Sequence, residues 1–304
     1  MTSVTVRAPA KINLGLSVGG PRADGFHDVA TAYHAISLQD ELVAAASEEL
    51  SIALTTADGI PLDDVPQDRS NLAVAAALAL AERAGVEPLV RLHVTKSIPV
   101  AGGMAGGSAD AAAALVACDA LWQTGLSRSE LAELAAALGS DVPFSLVGGT
   151  ALGTGRGEVL TPVLARGRFH WVVAIADGGL STPDVYAECD RLRGGTPVPE
   201  PRVADALMAA LRTGDADALG ASLHNDLQAA ACSLRPSLRE TLETGAQAGA
   251  LGSLVSGSGP SVVFLARSPE HAIDIAVALS ATGTCRSVRR AHGPVAGARV
   301  VGDG

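Results

Sequence analysis

Lysine is almost absent from this sequence. Of its 22 basic residues only Lys11 and Lys96 are lysines, and all the others are arginines. A lineage bias toward arginine would account for the ratio, but it does not account for the places where lysine remains. Lys11 falls in the first predicted strand, and Lys96 directly precedes a glycine-rich loop. Because arginine's planar fork does not replace a compact ammonium at a tight phosphate or hydroxyl site, both lysines are candidates for a functional site.

Basic charge, aromatic residues and paired cysteines are also scarce. The net charge is −10 and aromatic residues make up only 3% of the chain, which argues against a nucleic-acid partner. The sequence contains no C-x-x-C pair, so neither a zinc site nor a disulfide framework is indicated. We therefore expect the four cysteines to be small core residues: Cys118, Cys189, Cys232 and Cys285.

Long hydrophobic runs are missing as well. The longest helix-like apolar run, residues 72–81, is about half of the ~20 residues that cross a bilayer. The N-terminal segment is typical of a strand interrupted by Arg7 and Lys11, and not of a signal peptide. We therefore expect a cytoplasmic protein without a membrane partner. With 304 residues, 48% of them hydrophobic, the chain can form two domains or one large one, and its oligomeric state stays open.

The most informative stretch is a glycine loop that opens onto a helix. Four glycines lie within six positions and are followed by Ser108 and an alanine-rich segment that ends near Trp122. The first turn of a helix has unpaired N–H groups and a partial positive charge, so this junction suits an anion such as phosphate. A flexible glycine turn before a core helix is the simpler alternative.

The two common nucleotide-binding fingerprints do not fit this loop. The dinucleotide pattern G-x-G-x-x-G fails because Met104 occupies the second glycine position. The P-loop pattern requires a lysine directly after a glycine, and no glycine in this chain is followed by lysine. The sequence therefore gives no support for a dehydrogenase or a P-loop enzyme.

Three other polar residues, Lys11, Asn13 and Asp141, each allow a functional and a purely structural interpretation. Lys11 and Asn13 share one face of the first strand, which suits either a polar pocket or a solvated edge. Asp141 is either a functional carboxylate or the N-cap of a short helix. Asn71 is a plausible N-cap for a helix over residues 72–84, and Ser127 or Ser129 for a helix that ends at Gly139.

The remaining pattern alternates strands and helices without a fixed repeat. A turn-rich loop follows the first strand as far as Val29. Strands are then predicted within 38–54, 90–95, 169–176 and 262–266 and at the C-terminus, and helices over 203–213, 216–231, 236–248 and 269–281.

Four stretches together carry a family resemblance. They are residues 9–42 (PAKINLGLSVGGPRADGFHDVATAYHAISLQDEL), 96–112 (KSIPVAGGMAGGSADAA), 138–163 (LGSDVPFSLVGGTALGTGRGEVLTPV) and 254–265 (LVSGSGPSVVFL). In this order the chain resembles the GHMP-type small-molecule kinases over nearly its whole length. The resemblance implies an α+β, two-domain fold, with an N-terminal nucleotide-binding domain over residues 1–163 that carries the glycine loop and a C-terminal α/β substrate domain over residues 164–304.

The resemblance also implies a reaction and its participants. The γ-phosphoryl group of ATP, with Mg²⁺, would pass to the 2-hydroxyl of 4-diphosphocytidyl-2-C-methyl-D-erythritol, in the non-mevalonate route to isopentenyl diphosphate. Lys11 and Asp141 match the catalytic pair, and Asn13, Phe26, His27 and Tyr186 match positions that hold the cytidine part of this small-molecule substrate. The ATP-binding positions implied are Asn71, Lys96, Pro99, Val100, Ala101, Gly102, Gly103, Met104, Ala105, Gly106, Gly107, Ser108 and Ala109.

The chain also departs from the family pattern. Many relatives have tyrosine where this chain has Phe26, so a stacking contact is kept and a hydroxyl is lost. Ala101, Met104, Ala105 and Ala109 stand where glycines, a leucine and a second serine are usual. No acidic ligand for Mg²⁺ is obvious, which leaves Ser108 as the candidate for a metal contact.

Two other functions compete with this one. A kinase of the same superfamily that acts on mevalonate, homoserine or a sugar is the nearest, and the Phe26–His27 pair, which suits a pyrimidine, argues against it. A non-catalytic nucleotide-binding module is the second, and the presence of both Lys11 and Asp141 argues against that.

Overall fold

The computed structural model describes residues 2–57 and 59–302. They form two sheets with helices packed against them. In chain order the elements are β1 (Ser3–Pro21), β2 (His27–Ala46), β3 (Ser51–Thr56), α1 (Leu72–Ala84), β4 (Val90–Lys96), α2 (Gly106–Trp122), α3 (Arg128–Leu138), α4 (Val142–Val147), β5 (Thr150–Thr154), β6 (Val159–Pro162), β7 (Phe169–Ile175), α5 (Thr182–Arg193), α6 (Asp205–Thr213), α7 (Ala216–Ala221), β8 (His224–Asn225), α8 (Gln228–Leu234), α9 (Ser237–Gln247), β9 (Gly252–Val255), β10 (Val262–Ala266), α10 (Pro269–Thr282), β11 (Ser287–Gly293) and β12 (Arg299–Val300).

The first sheet is built around two long antiparallel strands, β1 and β2. Its main order is β12-β1-β2-β4-β3, with β5 and β6 attached to β2 and β8 attached to β1. β2 begins at His27, so the prediction of a loop as far as Val29 and of a strand only from Leu38 was wrong. The early half of β2 is a strand because it pairs with β1 back to Pro21, which is a tertiary contact that local turn signals do not show.

The second sheet has the order β11-β7-β10-β9 and is antiparallel throughout. Its central strands, β7 and β10, are buried on both faces because alternate side chains enter two different clusters. Trp171 and Val173 join the cluster that also contains the core of the first sheet. Val172 and Ala174 join a second cluster with residues of α8, α9 and α10. The main hydrophobic core therefore continues from one sheet to the other.

Helix α2 carries the glycine loop into this core. It is buried nearly all round, and most of its buried side chains are alanines. Small side chains let the helix approach α1, α4 and the first sheet closely, which explains why the sequence shows no polar stripe there. The N-terminus of α2 is thereby fixed by packing against the strands that carry other candidate residues.

Two helix caps agree with the sequence. α1 spans the predicted residues, and the Asn71 side chain accepts a hydrogen bond from the Ala73 backbone N–H at 2.9 Å. Ser127 caps α3 in a capping box with Glu130, and Gly139 follows the last turn. Both predictions are confirmed, because cap residues act on their own helix and need no distant partner.

The predicted helix over residues 216–231 was wrong as a single element. It divides into α7 and α8, with β8 between them. Asn225 interrupts the helix because its side-chain amide donates to the carbonyls of Val255 and Gly257, at 2.7 and 2.8 Å. The adjacent Asp226 backbone N–H donates to the Leu16 carbonyl at 2.9 Å. Helix α5, which carries Tyr186, was not predicted.

The proposed domain boundary lies in the connection between β6 and β7. Strands β8 and β12, which come from the second half of the chain, nevertheless pair with β1 in the first sheet. The division into residues 1–163 and 164–304 stays a prediction. No helix within the described ranges is long and apolar enough to cross a bilayer.

Candidate active site

A cavity of about 870 Å³ collects the residues that the sequence singled out. Every candidate side chain or loop position lies on its lining except Met104 and Ala109. Those two side chains are fully buried in the core, so any part they take in binding is through the backbone of the loop. The strands β1 and β2, the loop before α2, the N-terminus of α4 and helix α5 all contribute to the cavity wall.

The glycine loop has an unusual backbone that places the N-terminus of α2 at the cavity. Ala101, Gly103 and Ala105 have positive φ angles of 50°, 73° and 58°. Alanine disfavours this left-handed region, so the neighbouring structure must hold the loop in place. The backbone N–H of Lys11 donates to the Met104 carbonyl at 3.2 Å, which fixes the loop to β1. The first turn of α2 therefore lies on the cavity lining, and the unpaired N–H groups of a first helical turn suit phosphate.

A second loop, residues 256–260, supports the first one from behind. The Ser256 hydroxyl donates to the Gly103 carbonyl at 3.1 Å, and the Ser261 N–H donates to the Gly102 carbonyl at 3.4 Å. A Cβ at Gly103 would collide with the Ser256 carbonyl oxygen. Glycine at 103 is therefore required both by its φ angle and by this close approach. Residues 256–260 therefore hold the glycine loop in its position at the cavity.

Lys11 and Asp141 face each other across the cavity wall. The Lys11 ammonium lies 3.7 Å from Oδ2 of Asp141 and donates to Oδ1 of Asn13 at 2.8 Å. Asn13 in turn donates to the Thr31 hydroxyl at 2.7 Å, which fixes the direction of its amide. Lys11 is 6% exposed and Asn13 2%, so β1 forms a buried polar pocket and not a solvated edge. Asp141 precedes α4 but makes no side-chain cap, and its carboxylate lies on the cavity lining instead.

Tyr33 holds the other oxygen of Asp141. Its hydroxyl donates to Oδ1 of Asp141 at 2.9 Å. Burial, and then the nearby Asp141 carboxylate, raise the pKa of Tyr33 well above its usual value, so the hydroxyl keeps its proton. The carboxylate is thus oriented by a hydrogen bond on one side and by the Lys11 ammonium on the other.

A ring-binding end of the cavity is formed by Phe26, His27 and Tyr186. The rings of His27 and Tyr186 lie 4.9 Å apart and are tilted by 41°. His27 Nε2 is 3.0 and 3.1 Å from the two carboxylate oxygens of Asp190, on α5. Phe26 remains 52% exposed at the rim, which is high for a large aromatic residue. Such a rim suits a flat ligand that would cover the ring.

Lys96 is bound to protein groups on all sides. Its ammonium donates to Asp40 at 2.5 Å, to Asp110 at 2.6 Å and to the Gly106 carbonyl at 3.3 Å. Burial raises the pKa of Asp110 to about 8, against the opposing effect of Lys96. The three donors of the ammonium are occupied, so this ion cluster ties β2, β4 and α2 together. A contact of Lys96 with ATP stays a prediction.

Asn71 is also engaged in the protein itself. Besides capping α1, its side-chain amide donates to the Pro66 carbonyl at 2.7 Å, and the residue is 5% exposed. It lies on the cavity lining beside Leu72 and Ser70. A contact of Asn71 with ATP stays a prediction, and both ends of its amide already have a hydrogen-bond partner within the protein.

Comparison with known proteins places this geometry in a family. A model described as GHMP kinases N terminal domain matches residues 71–149, and one described as GHMP kinases C terminal matches residues 207–285. The 4-diphosphocytidyl-2-C-methyl-D-erythritol kinase of Streptomyces avermitilis is 59% identical over 299 residues, covering 98% of this chain and 100% of the relative. The chain belongs to this family of GHMP kinases. The enzyme of the same name from Thermobifida fusca is 58% identical and covers 99% of each chain.

Solved structures agree with this family. A crystal structure of a 4-(cytidine 5'-diphospho)-2C-methyl-D-erythritol kinase superposes with a TM-score of 0.76 at 35% identity, covering 95% of this chain and 98% of that one. The homoserine kinase of Cytophaga hutchinsonii gives a TM-score of 0.74 at 20% identity, covering 99% and 98%, and shows the fold alone. The α+β architecture is that of a GHMP kinase, and the chain is a small-molecule phosphotransferase.

The GHMP kinases use ATP, generally with Mg²⁺. Within residues 2–57 and 59–302 no three His, Cys, Asp or Glu side chains form a cluster that could hold a metal ion. Ser108, half-buried on the first turn of α2, lies on the same cavity wall.

Three residues of this GHMP kinase site were missed by the sequence analysis. Tyr33 orients Asp141, Asp190 contacts His27, and Arg156 lies over the Phe26 ring. A weak signal existed for Tyr33, because it is a polar residue within an apolar stretch. Asp190 and Arg156 gave no comparable signal, since their roles depend on α5 and on the turn between β5 and β6 being folded against β2.

Proposed function

We propose that this chain transfers the γ-phosphoryl group of ATP to the 2-hydroxyl of 4-diphosphocytidyl-2-C-methyl-D-erythritol. Relatives that are 58–59% identical over almost the full length carry the name of this kinase. The observation that carries the proposal is the position of the Lys11–Asp141 pair. A line of contacts joins the glycine loop through Met104 to Lys11, and continues through Asp141 to Tyr33. The ring-binding end lies beyond it in the same cavity.

The substrate fits this order of groups. Cytosine would lie at the end formed by Phe26, His27 and Tyr186, and the triphosphate of ATP at the N-terminus of α2. The acceptor hydroxyl would then reach Asp141 from one side and the γ-phosphorus from the other. Phosphoryl transfer depends mostly on such positioning and on neutralisation of charge.

In the reaction the acceptor oxygen forms a bond to the γ-phosphorus as the bond to the ADP oxygen breaks. Asp141 accepts the hydroxyl proton, and Lys11 stabilises both the carboxylate and the attacking oxygen. The backbone N–H groups at the start of α2 hold the phosphate oxygens. Ser108 would contact Mg²⁺, which when bound neutralises charge on the transferring phosphoryl group.

Mass spectrometry of the reaction products tests the proposal. The purified protein, ATP and Mg²⁺ should add one phosphoryl group to 4-diphosphocytidyl-2-C-methyl-D-erythritol and none to mevalonate or homoserine. Transfer only to mevalonate or homoserine would keep the fold and refute the substrate. Absence of any transfer would favour a non-catalytic nucleotide-binding module.

The role of Asp141 has its own test. Asp141→Asn should lower kcat by about 10²- to 10⁴-fold, as expected for loss of a general base, while both substrates still bind. Asp205→Asn, on the exposed start of α6, removes the same charge away from the cavity and should leave kcat unchanged. Near-normal turnover by Asp141→Asn would remove Asp141 from the mechanism.

A further inference from the structure

Arg156 lies at the middle of the tight turn between β5 and β6. Its guanidinium is 5.1 Å from the centre of the Phe26 ring, and its side chain is 42% exposed. The nearest carboxylate is that of Glu158, 3.7 Å from Nε, which is an ion-pair distance but not a close hydrogen bond. Arg156 belongs to the lining of the cavity, yet nothing in the reaction described above uses it.

The next residue along the turn lies against Tyr33, the residue that orients Asp141. Gly157 has a φ angle of 108°, and a Cβ there would collide with the Tyr33 hydroxyl. That hydroxyl is the group that donates to Asp141. The turn therefore contacts the ring-binding end through Arg156 and the group that orients Asp141 through Gly157. If the base of the substrate lies near Phe26 and its hydroxyl lies near Asp141, then the diphosphate and sugar that join the two lie beside this turn.

The cavity wall offers few cations that could bind the part of the substrate between the base and the acceptor hydroxyl. Among the lining residues that the structure describes, the lysines and arginines are Lys11, Lys96 and Arg156. Lys96 donates to Asp40, Asp110 and the Gly106 carbonyl, and Lys11 contacts Asn13 and Asp141, so neither ammonium is open to a further anion. The same wall also carries the carboxylates of Asp64, Asp141 and Asp190. A diphosphate in an acidic protein of net charge −10 needs a cation that still has free donors.

We propose that Arg156 binds the diphosphate of the nucleoside-diphosphate substrate, and so fixes the distance between the base and the acceptor hydroxyl. This inference rests on the proposed function and names a contact within it. A guanidinium presents a planar fork of five N–H donors that matches phosphate oxygens in a bidentate manner. Its position over the exposed Phe26 ring limits its freedom before substrate arrives, since a cation is attracted to the face of an aromatic ring.

The contact should affect substrate binding more than the chemical step. The diphosphate does not change its charge during transfer, so Arg156 contributes similarly in the ground state and in the transition state. Loss of such uniform binding raises KM and leaves kcat nearly unchanged. Binding of ATP, which uses the glycine loop at the other end of the cavity, should not change.

The experiment compares Arg156→Gln, Arg156→Lys and the wild type, with Arg202→Gln as the matched control. Arg202 is an exposed arginine that contacts Glu200 and does not line the cavity. Calorimetric titration should show that Arg156→Gln weakens binding of cytidine 5'-diphosphate on the order of 10- to 100-fold and leaves binding of cytidine unchanged. KM for the full substrate should rise by a similar factor, with kcat within about threefold. Arg156→Lys should fall between Arg156→Gln and the wild type, because it keeps the charge but loses the fork.

Two results with Arg156→Gln, and one with the wild type, would overturn the inference. Equal weakening of cytidine and cytidine 5'-diphosphate would mean that Arg156 acts only through the Phe26 ring. Unchanged binding of both would mean that it takes no part. The wild-type assay separates the two proposals: if the wild type binds cytidine 5'-diphosphate and Arg156→Gln does not, the contact stands even when no phosphoryl transfer is seen. Failure of the wild type to bind cytidine 5'-diphosphate would overturn both.

Discussion

At the scale of single residues, the proposed reaction depends most on the orientation of the Asp141 carboxylate. Asp141 is held by Tyr33 through one oxygen and faces Lys11 through the other. Neither partner is close to it in sequence, so both depend on the pairing of β1 with β2. Misorientation of a catalytic group costs rate even when the group itself is intact.

Tyr33→Phe tests this orientation. Removal of the hydroxyl should lower kcat on the order of tenfold, because a hydrogen bond to a charged group is lost, while KM for both substrates stays nearly constant. Tyr186→Phe removes a hydroxyl from the same cavity, where the ring contacts His27, and should leave kcat close to that of the wild type. A fall in kcat of equal size in both variants would show that Tyr33 has no special relation to Asp141.

Lys96→Met tests whether the second lysine serves stability or nucleotide binding. Its removal leaves Asp40 and Asp110 buried without a cation, so the free energy of unfolding should fall by about 3–5 kcal/mol. Urea denaturation measures this loss, and the KM for ATP is measured on the protein that remains folded. A large rise in that KM with unchanged stability would instead favour the predicted ATP contact.

At the scale of elements, the glycine loop and the 256–260 loop form one unit. Gly103 combines a positive φ angle with a carbonyl in the space where a side chain would begin. Gly125 has a similar φ angle of 71° but has nothing within 4 Å of that space. An alanine would therefore strain the backbone similarly at both positions, but only at 103 would its Cβ also collide with another residue.

Gly103→Ala should consequently weaken ATP binding at least tenfold and lower the melting temperature more than Gly125→Ala does. Gly125→Ala should show only the modest loss of stability expected for alanine at a positive φ angle. Thermal unfolding and the KM for ATP measure the two effects. Equal behaviour of the two variants would mean that the contact with residues 256–260 does not fix the loop.

The sequence predicted those elements whose signals are local. The caps at Asn71 and Ser127 and the junction of the glycine loop with α2 are set by neighbouring residues, and they were predicted correctly. The start of β2 and the break at β8 depend on pairing with β1 and were missed. The residues of the candidate site also fall into a predicted and a missed group. Lys11 and Asp141 were predicted because they lie in motifs that resemble those of a family. Tyr33, Asp190 and Arg156 acquire their roles only through contacts between distant elements.

At the scale of the whole molecule, the buried ion cluster couples stability to pH. The pKa of Asp110 is raised to about 8, whereas an unfolded chain releases this proton near its ordinary value of 3.8. Between these values the folded state holds a proton that the unfolded state has lost. The contribution of Asp110 to stability is therefore full below about pH 4 and is lost as the pH rises toward 8.

Asp110→Asn removes this titration. The variant should become progressively more stable relative to the wild type as the pH rises from 5 to 8, by at most about 1.4 kcal/mol per pH unit. Urea denaturation of both proteins at each pH gives the difference. A difference that stays constant over this interval would show that Asp110 is ionised in the folded protein throughout.

The burial of both lysines has a consequence for chemical labelling. Lys11 and Lys96 are 6% and 2% exposed, so the protein presents no lysine amine on an open surface. An acylating reagent that enters the cavity would meet Lys11 as an ammonium shared between an amide and a carboxylate. Mass tagging of lysine side chains, which on most proteins maps the exterior, would here report whether a ligand occupies the cavity.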